Sequence, residues 1–150
     1  MTLDDLHAYL RTKPDSIEDF PFGPEPSVYK IEGKMFALVI PSQDGWRINL
    51  KSPPDEAIQL RDVFTSVIPG YHMNKRHWNT INFPGDVPEA ELQRQIDVSF
   101  ALVVKGLPKA AQKPASKAAF HCLYFSPKRT TAMSQFSIIV LVRIPLILDD

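Results

Sequence analysis

Three short runs with strand character lie between residues 28 and 51, and they constrain the fold more than any other feature of the chain. Residues 28–32, 35–40 and 46–51 are each too short to form a helix between their flanking turn residues. Gly33 and Gly45 mark the turns between them, because glycine adopts a positive φ at no steric cost. Strands joined by turns this short pair antiparallel, so the pattern predicts a β-meander with one buried face.

The third run, residues 46–51, shows which side chains should share a face. Its apolar members are Trp46, Ile48 and Leu50, and its polar members are Arg47, Asn49 and Lys51. Successive side chains of a strand point to opposite faces of the sheet, so the apolar set should be buried and the polar set should face away from it. Residues 77–83 alternate in the same way and predict a fourth strand.

Three segments have the apolar spacing of helices: residues 2–12, roughly 54–66, and 87–107. Thr2 is the expected N-cap of the first, and Ser52 or Asp55 the expected cap of the second. Gly106 should end the third helix. Residues 20–26 are rich in proline and glycine and predict a loop.

The remaining segments favour a cytoplasmic protein. The start of the chain is acidic and amphipathic, unlike a secretory signal, and the lone Cys122 cannot form an internal disulfide. Residues 109–119 have the composition of a flexible linker. The apolar run 136–148 has 13 residues, short of the roughly 20 that a membrane span needs, so we expect no span. It could dock as a strand, pair with a partner or aggregate.

The net charge is zero but unevenly spread along the chain. Residues 1–107 contain 11 Lys and Arg against 15 Asp and Glu, giving 11 − 15 = −4. Residues 108–150 contain 6 against 2, giving 6 − 2 = +4. An acidic body is a poor general binder of polyanions. Any nucleic-acid site must therefore come from a local cluster of cations.

Such a cluster lies at residues 71–78, and cations from the meander can add to it. The candidate nucleic-acid or anion-binding residues are Lys34, Arg47, Lys51, Tyr71, His72, Lys75, Arg76, His77 and Trp78. The cations can neutralise phosphates, amides beside Gly70 can donate to oxygens, and the aromatic rings can stack on bases. The alternative is a solvated sheet face with an ordered loop. Trp78 is expected in the core in either case, since large aromatic side chains are mostly buried.

The same region carries no sign of metal binding or catalysis. His72 and His77 are five residues apart, have no neighbouring Cys or carboxylate, and fall short of the three or four ligands of a zinc site. We expect one of them to order the loop by bonding a backbone carbonyl. The chain has no nucleophile with an adjacent base and no phosphate-cradling glycine loop. We therefore expect neither a metal, nor a cofactor, nor catalysis.

The run PGYHMNKRHWNT at residues 69–80 closely resembles the signature of the MmcQ/YjbR family. Further matching pieces are VYKI at 28–31, GKMFA at 33–37, NLK at 49–51 and SF at 99–100. The resemblance covers about residues 1–113 and implies an α+β two-layer sandwich of the CyaY-like and secretion-chaperone-like type. In that fold an antiparallel sheet of about five strands packs on helices, in the order α-β-β-β-α-β-β-α. Residues 114–150 have no counterpart in the family and form an extension.

The resemblance also implies a function, because the family is commonly labelled DNA-binding. We therefore expect a non-catalytic, nucleic-acid-associated binding protein, with DNA as its partner. Two alternatives stay open. One is a scaffold that binds a protein or peptide through a sheet face or edge. The other is a small-anion or nucleotide pocket around Lys34, Lys51, His72 and Lys75.

Overall fold

The structure, a computed structural model, describes residues 1–112, which form three helices and a six-stranded antiparallel sheet. The elements are α1 (Leu3–Arg11), β1 (Ile17–Asp19), β2 (Ser27–Ile31), β3 (Lys34–Ser42), β4 (Gly45–Lys51), α2 (Pro54–Val63), β5 (Val67–Pro69), β6 (Trp78–Phe83) and α3 (Glu89–Lys105). The strand order is β1-β2-β3-β4-β6-β5. The α+β class is confirmed, with six strands in place of about five. The interpretations of Cys122, of residues 136–148 and of most of 109–119 lie outside the described residues.

The helix ends show which capping predictions hold. Thr2 caps α1 in a capping box with Asp5, as expected. The prediction for α2 is wrong, because Pro53 occupies the N-cap and no side chain caps the helix. Pro54, the first residue of the helix, has a preset φ that suits a helix start. It has no backbone N–H, so no hydrogen-bond donor at that position needs a cap. Gly106 ends α3 as predicted, and its N–H bonds to the carbonyl oxygen of Val103 at 3.0 Å.

The core lies on one face of the sheet, where all three helices contribute to it. The strand residues in this core include Tyr29, Ile31, Val39, Trp46, Ile48, Leu50 and Ile81. The alternate residues form what we call the second face: Leu38, Ile40, Arg47, Asn49, Lys51, Trp78, Thr80 and Asn82. None of these belongs to the core cluster. The side chains of residues 46–51 therefore alternate between the two faces of the sheet, as predicted.

A β-bulge at Phe36 interrupts the pairing of β2 with β3. Tyr29 pairs with Ala37 and Lys30 pairs with Met35, so Phe36 is an extra residue without a partner on β2. Phe36 and Ala37 are consequently both buried, although they are neighbours in one strand. The Phe36 ring meets the ring of Phe100 edge-on, with centroids 5.3 Å apart.

The hydroxyl of Ser99 on α3 continues this departure from a regular sheet. Pairing of β3 with β4 stops at Ala37 and Leu50, so the next pair would be Phe36 and Lys51. Instead, Ser99 Oγ donates to the carbonyl oxygen of Phe36 at 2.5 Å and accepts from the N–H of Lys51 at 2.8 Å. One buried side chain thus holds two strand ends apart while satisfying the backbone group of each.

A second network ties α1 to the edge of the sheet. The Tyr29 hydroxyl donates to Glu18 Oε1 at 2.9 Å and lies 2.5 Å from His7 Nδ1, and Arg11 donates to Glu18 at 2.7 Å. Burial lowers the pKa of His7 below its ordinary value, and the nearby Glu18 only partly opposes this. Burial alone would raise the pKa of Glu18, but the hydrogen bonds from Arg11 and Tyr29 outweigh it and leave the pKa lowered.

Ser99→Ala should lower the free energy of unfolding by about 1–3 kcal/mol, because it leaves two buried backbone groups without their partner. Ser16→Ala is the matched control, since Ser16 Oγ is buried but has no hydrogen-bond partner in the described part of the chain. Its effect should be close to zero. Urea denaturation of both variants measures the difference, and equal effects would contradict the bridging role of Ser99.

Stability should fall as the pH is lowered from about 7 to about 5. The ordinary pKa of His7 is 6.5 and its folded pKa is lower, so the unfolded chain binds more protons in this window. Stability from neutral His7 is fully present above 6.5 and is lost as the pH falls. His7→Gln should flatten the profile there, while keeping the further loss below 4.5 that comes from Glu18. Urea denaturation across this range tests it, and parallel profiles would refute it.

Candidate nucleic-acid interface

The loop of residues 70–77 lies over the second face and is held there by buried polar side chains. The N–H of Tyr71 donates to Thr80 Oγ1 at 3.0 Å, and Thr80 Oγ1 donates to Asn49 Oδ1 at 2.7 Å. Asn49 and Thr80 are a cross-strand pair, and both are 0% exposed. Buried polar side chains need partners of this kind, so the 70–77 loop is fixed to the middle of the sheet.

Arg61 on α2 fixes the other end of the loop. Its Nε donates to Asn79 Oδ1 at 2.7 Å, and one terminal nitrogen donates to the carbonyl oxygens of Trp78, at 3.2 Å, and of Lys75. Within the loop, Asn74 Oδ1 accepts from the N–H of Arg76 at 3.0 Å. Arg61 therefore acts as a structural cation that sets the path of residues 75–78.

Two expectations about this loop are wrong. The amides beside Gly70 are already bonded within the chain, since Gly70 N–H donates to the Trp78 carbonyl at 2.9 Å and Tyr71 N–H to Thr80. Neither His72 nor His77 makes a side-chain hydrogen bond within residues 1–112. His72 instead packs on the ring of Tyr71, with centroids 4.1 Å apart, and has a left-handed φ of 55°. Asn74, Arg61 and Thr80 order the loop in their place.

Nine of the twelve Lys and Arg residues of the described chain fall into two groups. Arg11, Lys13, Lys30 and Arg94 each form a salt bridge with a carboxylate. Lys34, Arg47, Lys51, Lys75 and Arg76 form none with any carboxylate of residues 1–112. The five cations singled out in the sequence are thus not neutralised by neighbouring acids, although the body as a whole is acidic.

Three of the candidate residues meet in a cleft of about 300 Å³ at the end of the sheet. Lys34, Lys51 and Trp78 line it, and Met35, Leu102 and Val103 complete its walls. Trp78 is half-buried, so its expected core position is wrong. The reason is register: Trp78 pairs with Lys51 on the second face, while Asn79 and Ile81 take the core-facing positions of β6.

Three others meet in a separate pocket of about 450 Å³ under the 70–77 loop. Tyr71, His72 and Lys75 line it, beside the exposed Ile68. The guanidinium of Arg47 lies 6.0 Å from the ring centroid of Tyr71, at the outer limit of a cation–π contact. Arg76 is exposed and His77 half-buried, and neither lines the cleft or the pocket. Six of the nine candidate residues therefore form two groups of three, and Arg76 and His77 belong to neither.

The residues that position these groups were not predicted from the sequence: they are Arg61, Ser99, Asn49 and Thr80. A signal was present for the last two, since both are polar residues at interior positions of predicted strands. Across residues 1–112 no three His, Cys, Asp or Glu side chains come together as metal ligands. No helix in that part of the chain is long and apolar enough to cross a membrane.

The chain is similar to known proteins in both sequence and structure. The YjbR family model matches residues 11–102. The Escherichia coli O157:H7 protein YbdF, named as uncharacterized, is 45% identical over 63% of this chain and 77% of its own length. Escherichia coli K12 YjbR, also named as uncharacterized, is 29% identical over 75% of this chain and 96% of its own. The crystal structure of Deinococcus radiodurans protein DR2400 is similar with a TM-score of 0.70 and 38% identity, covering 76% of this chain and 87% of that one.

Thr80→Val should release the 70–77 loop, because it leaves the Tyr71 N–H and the buried Asn49 amide oxygen without their partner. We expect a stability loss of about 1–3 kcal/mol and faster hydrogen exchange at the Tyr71 amide. Thr65→Val removes an exposed hydroxyl bonded to Asp86 and should leave Tyr71 exchange unchanged. Native-state hydrogen exchange measures both variants, and unchanged Tyr71 exchange in Thr80→Val would show that the loop is held by other contacts.

Proposed function

The chain belongs to the YjbR family, and we propose that it binds nucleic acid without catalysing a reaction on it. The observation that carries this proposal is the distribution of charge. Cations without a carboxylate partner in residues 1–112 lie around the 70–77 loop and the adjoining strand ends, beside Tyr71, a residue that is 55% exposed. Elsewhere on residues 1–112, Arg11, Lys13, Lys30 and Arg94 are paired with acids, Arg61 holds the loop, and the exposed Lys109 forms no salt bridge with a carboxylate of that range.

The order of groups on the second face suits a nucleic-acid strand. Arg47 and Lys51 lie on the same face of β4 and are four residues apart, which separates their Cα atoms by roughly 13 Å. Tyr71 is anchored between them, through the paired Asn49 and Thr80. Cations can contact phosphates at either end while the aromatic ring stacks on a base. This arrangement favours flexible or single-stranded nucleic acid, whose bases are accessible to stacking.

The acidic remainder of the body sets the expected strength of binding. With five cations available, the slope of log affinity against log salt should be no steeper than about −4.5 on a duplex. The net charge of 11 − 15 = −4 over residues 1–107 adds no general attraction. Binding should therefore be of modest affinity and lost at elevated salt.

Fluorescence anisotropy with labelled single-stranded and duplex oligonucleotides tests the proposal at about 50 and about 200 mM salt. The double variant Lys75→Gln/Arg76→Gln should weaken binding and make the salt slope shallower by roughly 2. Arg11→Gln/Lys30→Gln removes the same charge from paired cations and should bind like the wild type.

Several outcomes would contradict the proposal. They are no binding at low salt, equal weakening in both double variants, or oligonucleotides shortened on incubation, which would show catalysis. Co-purification of a stoichiometric protein that resists nuclease treatment would favour the scaffold alternative.

A further inference from the structure

The cleft lined by Lys34, Lys51 and Trp78 is built into the fold by two departures from a regular sheet. The bulge at Phe36 redirects the start of β3, where Lys34 lies. Ser99 keeps this strand end apart from the end of β4, where Lys51 lies. Bulges are often found where a strand re-aims side chains beside a functional site.

The two lysines carry like charges into one cleft with no counter-ion from residues 1–112. Lys34 is exposed and Lys51 is half-buried, and neither pairs with a carboxylate there. Like charges around one cavity repel each other, and an anion between them removes that repulsion and gains charge-assisted hydrogen bonds. The chemistry of the cleft therefore selects an anionic group such as a phosphate.

An aromatic wall stands next to this pair of charges. Trp78 is half-buried at the cleft, with Met35, Leu102 and Val103 as apolar neighbours. The other tryptophan of the chain, Trp46, is 5% exposed and stacks on Phe83 with centroids 4.5 Å apart and planes 11° from parallel. Of the two tryptophans, Trp78 is the one that lines the cleft, and every nucleobase has a face on which such a ring can stack.

The size of the cleft favours a single nucleotide over a nucleic-acid strand. Its volume of about 300 Å³ is at the lower end of the range for small-molecule pockets. The C-terminal end of α3 adjoins it at Gly106 and contributes a partial negative charge, which weakens the hold on any anion. Binding should therefore depend on both lysines together.

We infer that this cleft binds a nucleoside monophosphate, with the phosphate between Lys34 and Lys51 and the base against Trp78. The site shares Lys51 with the proposed nucleic-acid surface but includes neither Lys75 nor Arg76 of the 70–77 loop. Each can therefore fail without the other.

Tryptophan fluorescence of the full chain tests the inference, with adenosine monophosphate, adenosine and inorganic phosphate as probes. Adenosine monophosphate should quench emission saturably, adenosine should bind roughly tenfold or more weakly, and phosphate should compete without quenching. Trp78→Phe should lose the quenching, because the emission that remains comes from the buried Trp46.

Lys51→Gln and Lys34→Gln should each weaken adenosine monophosphate binding roughly tenfold or more. Lys34 is exposed, so its variant tests the site even where Lys51→Gln perturbs folding. Lys75→Gln makes the same charge change outside the cleft and should bind like the wild type. Three results would overturn the inference. They are absence of quenching, equal affinity for adenosine and adenosine monophosphate, or a loss of adenosine monophosphate affinity in Lys75→Gln as large as in the two cleft variants. Oligonucleotide binding is measured separately with the Lys75→Gln/Arg76→Gln variant, which keeps both lysines of the cleft, so failure of one proposal is distinguished from failure of the other.

Discussion

The contact on which the rest of the architecture depends is the one that Ser99 makes with the ends of two strands. Its hydroxyl satisfies the carbonyl of Phe36 and the N–H of Lys51, which would otherwise face each other across a closing ladder. A single buried side chain therefore docks α3, terminates the pairing of β3 with β4, and keeps a cleft between them. The position of Lys51, and with it one wall of the candidate site, follows from this contact.

The distribution of charge, more than its total, distinguishes the two sides of the molecule. On the helical side, acids and bases satisfy each other in pairs such as Lys13 with Asp97 and Arg94 with Glu91. Both pairs are partly exposed; pairs at the surface contribute little to stability, typically about 0–1 kcal/mol, but they remove charge from the local field. Around the 70–77 loop no carboxylate of residues 1–112 forms a salt bridge with Lys75 or Arg76, so these charges are not paired within the described part of the chain.

The 70–77 loop is a built part of the sheet and not a loose connection. It covers Asn49 and Thr80, whose polar groups would otherwise be buried without partners, and it is held at its far end by Arg61. Such supporting hydrogen bonds lock the direction of the side chains that a ligand meets. They also consume the backbone amides beside Gly70, which leaves recognition to the side chains of Arg47, Tyr71 and Lys75.

The sequence by itself determined the three helices, the meander and the division of residues 46–51 between two faces. These follow from the local alternation of apolar and polar residues, which has a period of two in strands and 3.6 in helices. It also identified five cations that form no salt bridge with a carboxylate of residues 1–112. Strands β1 and β5 have three residues each, too few to carry a period; the family resemblance implied a strand at β5, and the tertiary structure alone decided β1. It likewise decided the bulge at Phe36, the half-buried position of Trp78 and the structural role of Arg61. Each of these depends on what the opposite strand or helix supplies, and that information lies far away along the chain.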